Sequence, residues 1–136
     1  MSRGLDNNNP GNIRRSKTNY KGELHPSNDP AFKQFSTIEW GYRAMFILLD
    51  AYQRLHGLNT LRGMISRYAP PSENHTEAYI RTVSDLTGIL PDEPINTRER
   101  STMVPLVAAM SKVENGVVAA FATVERGWAL TGFEND

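Results

Sequence analysis

Two glutamates stand out as side chains that could do acid chemistry, because each lies next to an aromatic residue or a rigid turn at the start of a helical pattern. Glu39 precedes Trp40, and Glu73 lies in a proline-rich loop shortly after Tyr68. A carboxyl beside an apolar wall has a raised pKa, so it can hold a proton near neutral pH and donate it to a glycosidic oxygen. Both glutamates are therefore candidate general acids, and Glu23 is a weaker third.

Amide, guanidinium and aromatic side chains accompany these carboxyls, and together they suit a carbohydrate ligand. Sugars offer apolar ring faces for stacking and hydroxyls for hydrogen bonding. The residues that we expect to contact sugar are Asn8, Asn12, Trp40, Arg43, Tyr68 and Asn74.

Each of these residues also has a local structural interpretation. Ser36 and Glu39 have the Ser-x-x-Glu spacing of a capping box, in which both side chains satisfy backbone donors at a helix start. Glu73 and Asn74 are typical of a helix beginning, and Trp40 could belong to the core. Only the whole set, taken together, favours a sugar site over these local roles.

Composition excludes several other classes of protein. The chain has 15 basic and 15 acidic residues and no cysteine, so bulk nucleic acid is a poor partner and thiolate metal sites are ruled out. The three histidines are scattered and no metal or nucleophile-elbow motif is present, so we predict no metal and no cofactor. No apolar run nears the ~20 residues of a membrane span, and no secretory signal opens the chain, which predicts synthesis in the cytoplasm without membrane insertion.

The elements that must position these residues are mostly helices. Residues 32–55 carry the longest helical pattern, beginning at Ser36 and ending near Gly57, with apolar residues at steps of three and four. Four shorter helices follow, at about 60–69, 74–87, 102–113 and 118–130. The N-terminal arm, residues 1–35, is polar, with an ordered Asn-Pro-Gly turn and one or two short strands between residues 20 and 35. We predict one mainly α domain spanning residues 1–136.

Three separated stretches carry a resemblance to known proteins: Asn-Asn-Asn-Pro-Gly-Asn-Ile-Arg at 7–14, Phe-Ser-Thr-Ile-Glu-Trp-Gly-Tyr-Arg-Ala-Met at 35–45, and Arg-Tyr-Ala-Pro-Pro-Ser-Glu-Asn-His-Thr-Glu-Ala-Tyr-Ile at 67–80. In this order they resemble a family of small phage and prophage virion structural proteins of the lysozyme-like superfamily. The Asn-rich turn and the Tyr-Ala-Pro loop are also similar to flagellar-type glucosaminidases. The resemblance implies a helical, lysozyme-like domain that cleaves peptidoglycan glycan strands, associates with other virion proteins and is delivered to the cell wall.

One departure from the glucosaminidases affects the catalytic assignment. Their acid lies on a helix before the Asn-Asn turn, and only six residues precede Asn7 here, so that acid cannot be carried over. We therefore assign Glu39 as the acid and Glu73 as its partner in a lysozyme or lytic transglycosylase reaction. The alternative is a module with the same fold that binds peptidoglycan or serves as a virion structural protein without catalysis.

Overall fold

A computed structural model describes residues 2–133 of the chain. Six helices occupy this part: α1 Arg3–Asp6, α2 Ile38–His56, α3 Leu61–Tyr68, α4 Thr76–Thr87, α5 Arg100–Asn115 and α6 Phe121–Thr131. The prediction of a mainly α fold is confirmed. None of the helices in residues 2–133 is long and apolar enough to cross a membrane.

Helix α2 lies at the centre of the fold, as its apolar periodicity predicts. Its Met45, Phe46 and Leu49 side chains are fully buried. The Trp128 ring of α6 packs edge-on against Phe46, with 5.0 Å between the ring centroids. Gly127 allows α6 to come this close, because a Cβ atom there would lie 2.6 Å from the Cβ of Tyr42.

Helix ends follow the expected turn chemistry, with one correction at the start of α2. Gly57 and Gly88 adopt the left-handed conformation that ends α2 and α4. The predicted capping box at Ser36 is wrong, because Thr37 is the N-cap and its hydroxyl accepts a hydrogen bond from Trp40 N at 3.3 Å. Glu39 is thus one position earlier in the helix than a capping box requires.

The N-terminal arm has little regular secondary structure, but its buried side chains pack against the helices. Where short strands were expected, residues 2–133 contain only isolated antiparallel bridges, which pair Arg14 with Phe32 and Glu23 with Phe35. The short helix α1, which the sequence did not predict, precedes the Asn-rich turn. Buried side chains from the arm and from α2 to α6 form one core cluster. The assignment of residues 1–136 to a single domain stays a prediction.

Candidate active site

Three adjoining cavities form a groove along one side of the molecule. The first, the central cleft, has a volume of about 250 Å³. The second, the α4 cavity, has about 290 Å³ and shares Asn74 and Glu114 with the central cleft. The third, the arm cavity, has about 500 Å³ and shares Ile13, Arg14, Leu48 and Tyr52 with the central cleft. A ligand that follows this groove would pass Glu114.

The Glu114 carboxyl lies in the last turn of α5, where the central cleft and the α4 cavity meet. Burial raises its pKa above the ordinary value, and hydrogen bonding from Asn12 and Tyr79 offsets part of that rise. The negative end of the α5 dipole also disfavours a carboxylate at this position. Glu114 is therefore the carboxyl of this groove that is best suited to hold a proton at a pH where an ordinary glutamate is ionised.

Two polar groups beside Glu114 leave hydrogen-bonding capacity unused. The Asn12 amide nitrogen donates to Glu114 Oε1 at 2.9 Å, but Asn12 Oδ1 is buried without a hydrogen bond among the described residues. The Tyr79 hydroxyl is likewise buried; it lies close enough to lower the pKa of Glu114 but makes no well-aligned hydrogen bond in residues 2–133. Buried polar groups without partners are rare, and they mark places where a water or ligand can bind.

The Asn-rich turn, residues 7–12, is held against the end of α5 by backbone and side-chain bonds. Asn115 donates to the Pro10 carbonyl at 2.7 Å, and this hydrogen bond joins the turn to α5. Within the turn, Asn9 donates to Ile13 O and accepts from Ile13 N, each at 2.9 Å. Asn12 itself has a φ of +50°, a conformation that asparagine tolerates better than most residues. This network fixes the amide that contacts Glu114.

Tyr68 lines the central cleft and contacts the same Asn-rich turn. Its hydroxyl donates a short hydrogen bond to the Gly11 carbonyl. A Cβ atom at Gly11 would lie 2.2 Å from that hydroxyl and 2.8 Å from Met45 Cγ, so the contact requires glycine. Burial raises the pKa of Tyr68 well above its ordinary value, which keeps the phenol neutral.

Four of the eight residues predicted from the sequence line the central cleft: Asn12, Tyr68, Glu73 and Asn74. Glu73 is exposed on the loop between α3 and α4. The Asn74 amide donates to Pro70 O at 3.2 Å and therefore helps to shape that loop.

The other four predicted residues lie outside the three cavities. Glu39 accepts from Arg126 at 3.3 Å, and Asn8 donates to the Phe35 carbonyl at 3.1 Å. Arg43 donates to the Leu130 carbonyl at 3.1 Å, and its guanidinium carbon lies 5.9 Å from the centroid of the Trp40 ring. These contacts join elements of the fold, and the catalytic assignment of Glu39 stays a prediction. The weaker candidate Glu23 is buried in an ion pair with Lys33 at 3.0 Å.

Sequence reasoning missed Glu114, Tyr79 and Tyr52. One local signal pointed to Glu114. A glutamate in the last turn of a helix is disfavoured by the helix dipole, which favours basic residues at that position. Nothing local indicated its neighbours, since Asn12 and Glu114 are separated by 102 positions in the chain. Tyr52 and Tyr79 lie on the apolar faces of their helices, a pattern that is typical of core residues.

Comparison with known proteins identifies a phage relative. No protein-family model matches the chain. Over 118 residues, or 85% of its length, the chain is 38% identical to "Protein P5" of Pseudoalteromonas phage PM2, and the match covers 72% of that protein. This similarity extends over most of both chains, and the protein described here therefore belongs to the same family as protein P5 of phage PM2.

Proposed function

We propose that this protein is a phage-associated glycosidase that cleaves the β-1,4 bond of peptidoglycan glycan strands, with Glu114 as the general acid. The observation that carries the proposal is a half-buried carboxyl with a raised pKa at the centre of a groove. Such a carboxyl is protonated at a pH where an ordinary glutamate is not, and it can donate that proton to the leaving oxygen.

The residues around Glu114 suit an amino-sugar ligand. The amides of Asn12 and Asn74 can pair with sugar hydroxyls or acetamido groups, and Tyr52 and Tyr68 offer aromatic surface in the same cleft. The Asn12 amide already donates to Oε1, which orients the carboxyl before any ligand binds. The cleft therefore combines a positioned acid with surfaces that can hold a glycan.

Glu73 lines the central cleft from the loop between α3 and α4 and completes the proposal in one of two ways. As an exposed carboxylate it can activate water or stabilise the positive charge that develops on the sugar ring. In a lytic transglycosylase a hydroxyl of the sugar itself attacks and gives its proton to Glu114, which is a carboxylate once it has protonated the leaving oxygen. Glu73 then has only the stabilising role. The masses of the products distinguish these routes, because the transglycosylase product lacks one molecule of water.

The Asn-rich turn gives the proposal a link to the glucosaminidases, although their acid lies on a helix before this turn and α5 follows it in the chain. Here α5 is one of the helices that contact the turn. Asn115 and Glu114 at its end both bond to residues of the turn. The family relationship to a phage protein supports the phage association in this proposal.

The test is the release of muropeptides from purified peptidoglycan, analysed by mass spectrometry. The parent protein is compared with Glu114→Gln, Glu73→Gln and Glu39→Gln, three matched substitutions that remove a proton donor without changing shape. We expect Glu114→Gln to abolish release and Glu39→Gln to leave it within about twofold of the parent, since Glu39 lies in a surface ion pair. Release that survives Glu114→Gln but not Glu39→Gln would refute our choice of acid in favour of Glu39.

A second candidate function, virion assembly without catalysis, is favoured by an exposed apolar surface. Leu86, Val118 and Phe121 are 50%, 78% and 52% exposed and line a cavity of about 190 Å³ between α4, α5 and α6. Large apolar patches of this kind often bind another protein. No release of muropeptides by the parent protein across a range of pH would favour this function over the enzyme.

A further inference from the structure

The arm cavity differs from the central cleft in the charge of its lining. It contains two arginines, Arg14 and Arg67, and two tyrosines, Tyr20 and Tyr52, but no acidic residue. Glu73 and Glu114 line the adjoining central cleft, which shares only Arg14 of the two arginines. One continuous groove therefore has an acidic section, where we place bond cleavage, and a basic section beside it.

Both arginines of the arm cavity lack an acidic partner within residues 2–133. Their guanidinium groups lie over aromatic rings, Arg14 at 5.1 Å from the Phe32 centroid and Arg67 at 5.3 Å from that of Tyr52. Many arginines elsewhere are in ion pairs, such as Arg62 with Glu77 and Asp92. Since both side chains are also exposed, their charges are available to a ligand.

The stacked arrangement prepares these arginines to bind carboxylates. A guanidinium that rests on a ring keeps its edge N–H donors free, and those donors form a planar fork that matches the two oxygens of a carboxylate. Stacking also restricts the side chain in advance, so less conformational freedom is lost when an anion binds. A neutral amino-sugar polymer offers nothing that would use these charges.

We propose that the arm cavity binds carboxylates carried by the glycan strand, so that the protein discriminates anionic peptidoglycan from neutral amino-sugar polymers. This inference rests on the proposed function, because it places the carboxylates along the strand that passes Glu114. The carboxylates can come from the peptide stems or, where stems have been removed, from the lactyl groups of the sugar. Arg14 and Arg67 are then specificity determinants for the glycan and take no part in the chemical step.

The test measures binding by calorimetry with Glu114→Gln as the parent, which keeps the ligands intact. Three soluble ligands of similar length are compared: stem-bearing glycan strands, strands stripped of stems by an amidase, and a neutral oligomer of N-acetylglucosamine. Arg14→Gln and Arg67→Gln are introduced singly and together. Arg81→Gln is the matched control, since Arg81 is exposed but lines none of the three cavities.

We expect each arginine substitution to weaken binding of an anionic strand by about fivefold, the upper range for one exposed ion pair, and to leave the neutral oligomer unchanged. The loss should shrink at high salt, which screens exposed charges. Loss on stem-bearing strands alone assigns the stem carboxylates, loss on stripped strands alone assigns the lactyl groups, and equal loss on both shows that the cavity binds either carboxylate.

Two results would overturn the inference, and only one of them also affects the proposed function. Equal binding of all three ligands, unchanged by either arginine substitution, rejects the carboxylate site while cleavage by the parent protein still supports a glycosidase. Binding of none of the ligands, together with no muropeptide release by the unsubstituted protein, rejects both. Thermal unfolding of each variant checks that the fold is retained.

Discussion

Replacing Glu114 with glutamine removes a proton and a charge while keeping the shape of the site. The Asn12 amide donates to Glu114 Oε1 at 2.9 Å, and a glutamine side chain keeps an oxygen acceptor at the same distance from the backbone. The bond that orients the side chain can therefore persist in the variant. Any loss of activity then measures the proton donor and not a collapse of the cleft.

The expected loss follows from the role of a positioned acid. General acid catalysis contributes about 10²- to 10⁴-fold in rate, which corresponds to about 3–5 kcal/mol of transition-state stabilisation. Glu114→Asp keeps the acid but withdraws it by about one carbon–carbon bond, and a misplacement of about 1 Å can cost 10²-fold. We therefore expect Glu114→Asp to be impaired and Glu114→Gln to be more so.

Glu114→Gln should raise the stability of the protein at neutral pH, although it lowers the activity. Because the pKa of Glu114 is raised in the folded state, folding favours the protonated form, so this group contributes less stability as pH rises above the ordinary value of 4.5. Glutamine carries no such dependence. We expect Glu114→Gln to unfold at a higher temperature than the parent at neutral pH and at the same temperature below pH 4.5.

Muropeptide release and thermal unfolding, measured on the same preparations, test both expectations. Activity of Glu114→Gln within tenfold of the parent would refute the acid assignment. Lower stability of Glu114→Gln at neutral pH would instead show that the carboxylate is favourably solvated or paired, which contradicts the desolvated site. Reduced activity together with increased stability is the combination that the structure predicts.

Four further substitutions, one of them made only in combination, test the surroundings of the site and the core. Asn12→Gly removes a hydrogen bond that lowers the pKa of Glu114, and glycine tolerates the positive φ at this position. The alkaline limb of the pH profile of kcat/KM should therefore move to higher pH. Gly11→Ala should lower the free energy of unfolding by about 1–3 kcal/mol in urea titrations, because the added methyl group overpacks the site. Adding Tyr68→Phe to this variant removes the hydroxyl that the methyl group would meet, so it should restore part of the lost stability. Asp50→Asn should lower the free energy of unfolding by about 1–3 kcal/mol in the same titrations. The buried Asp50 carboxylate accepts hydrogen bonds from the Thr97 hydroxyl and the Arg98 guanidinium and pairs with Arg54.

Each of these outcomes can be contradicted separately. A pH profile of Asn12→Gly that coincides with the parent profile would show that another group sets the alkaline limb. Additive effects of the two changes at Gly11 and Tyr68 would show that the alanine methyl group does not meet the hydroxyl. An Asp50→Asn variant as stable as the parent would mean that the ion pairs of this carboxylate contribute nothing beyond what a neutral amide provides.

The helices could be predicted from the sequence because their signals are local. Gly57 and Gly88 end helices by adopting a conformation that other residues avoid, and Pro70 stops α3 without reference to the rest of the fold. The start of α2 was harder, since Ser36 and Thr37 are adjacent and either hydroxyl can cap a helix. Contacts of the arm with this region, including Ser36 N donating to Gly22 O at 2.8 Å, accompany the cap at Thr37.

The site could be predicted only in part, because it combines residues from distant parts of the chain. Tyr68 ends α3, and Glu73 and Asn74 lie on the loop that follows it, so their pattern was visible in sequence. The prediction at Glu39 used the same reasoning, a carboxyl beside an aromatic ring at a helix start. That reasoning identifies a type of environment but does not tell whether the residue faces a groove, which depends on tertiary packing.

Under the proposed assignment of Glu114, chain order is a poor guide to the acid of this protein. In the glucosaminidases that the sequence resembles, the acid lies on a helix before the Asn-Asn turn, and we looked for a substitute in Glu39 and Glu73. General acid catalysis requires only a desolvated carboxyl within reach of the glycosidic oxygen, whichever segment of the chain supplies it. In our proposal α5 supplies it next to the Asn-rich turn, where Asn115 donates to the Pro10 carbonyl and Asn12 donates to Glu114. If Glu114→Gln abolishes muropeptide release, the search for catalytic residues in relatives of this protein should begin from the Asn-rich turn and ask which helix end packs on it.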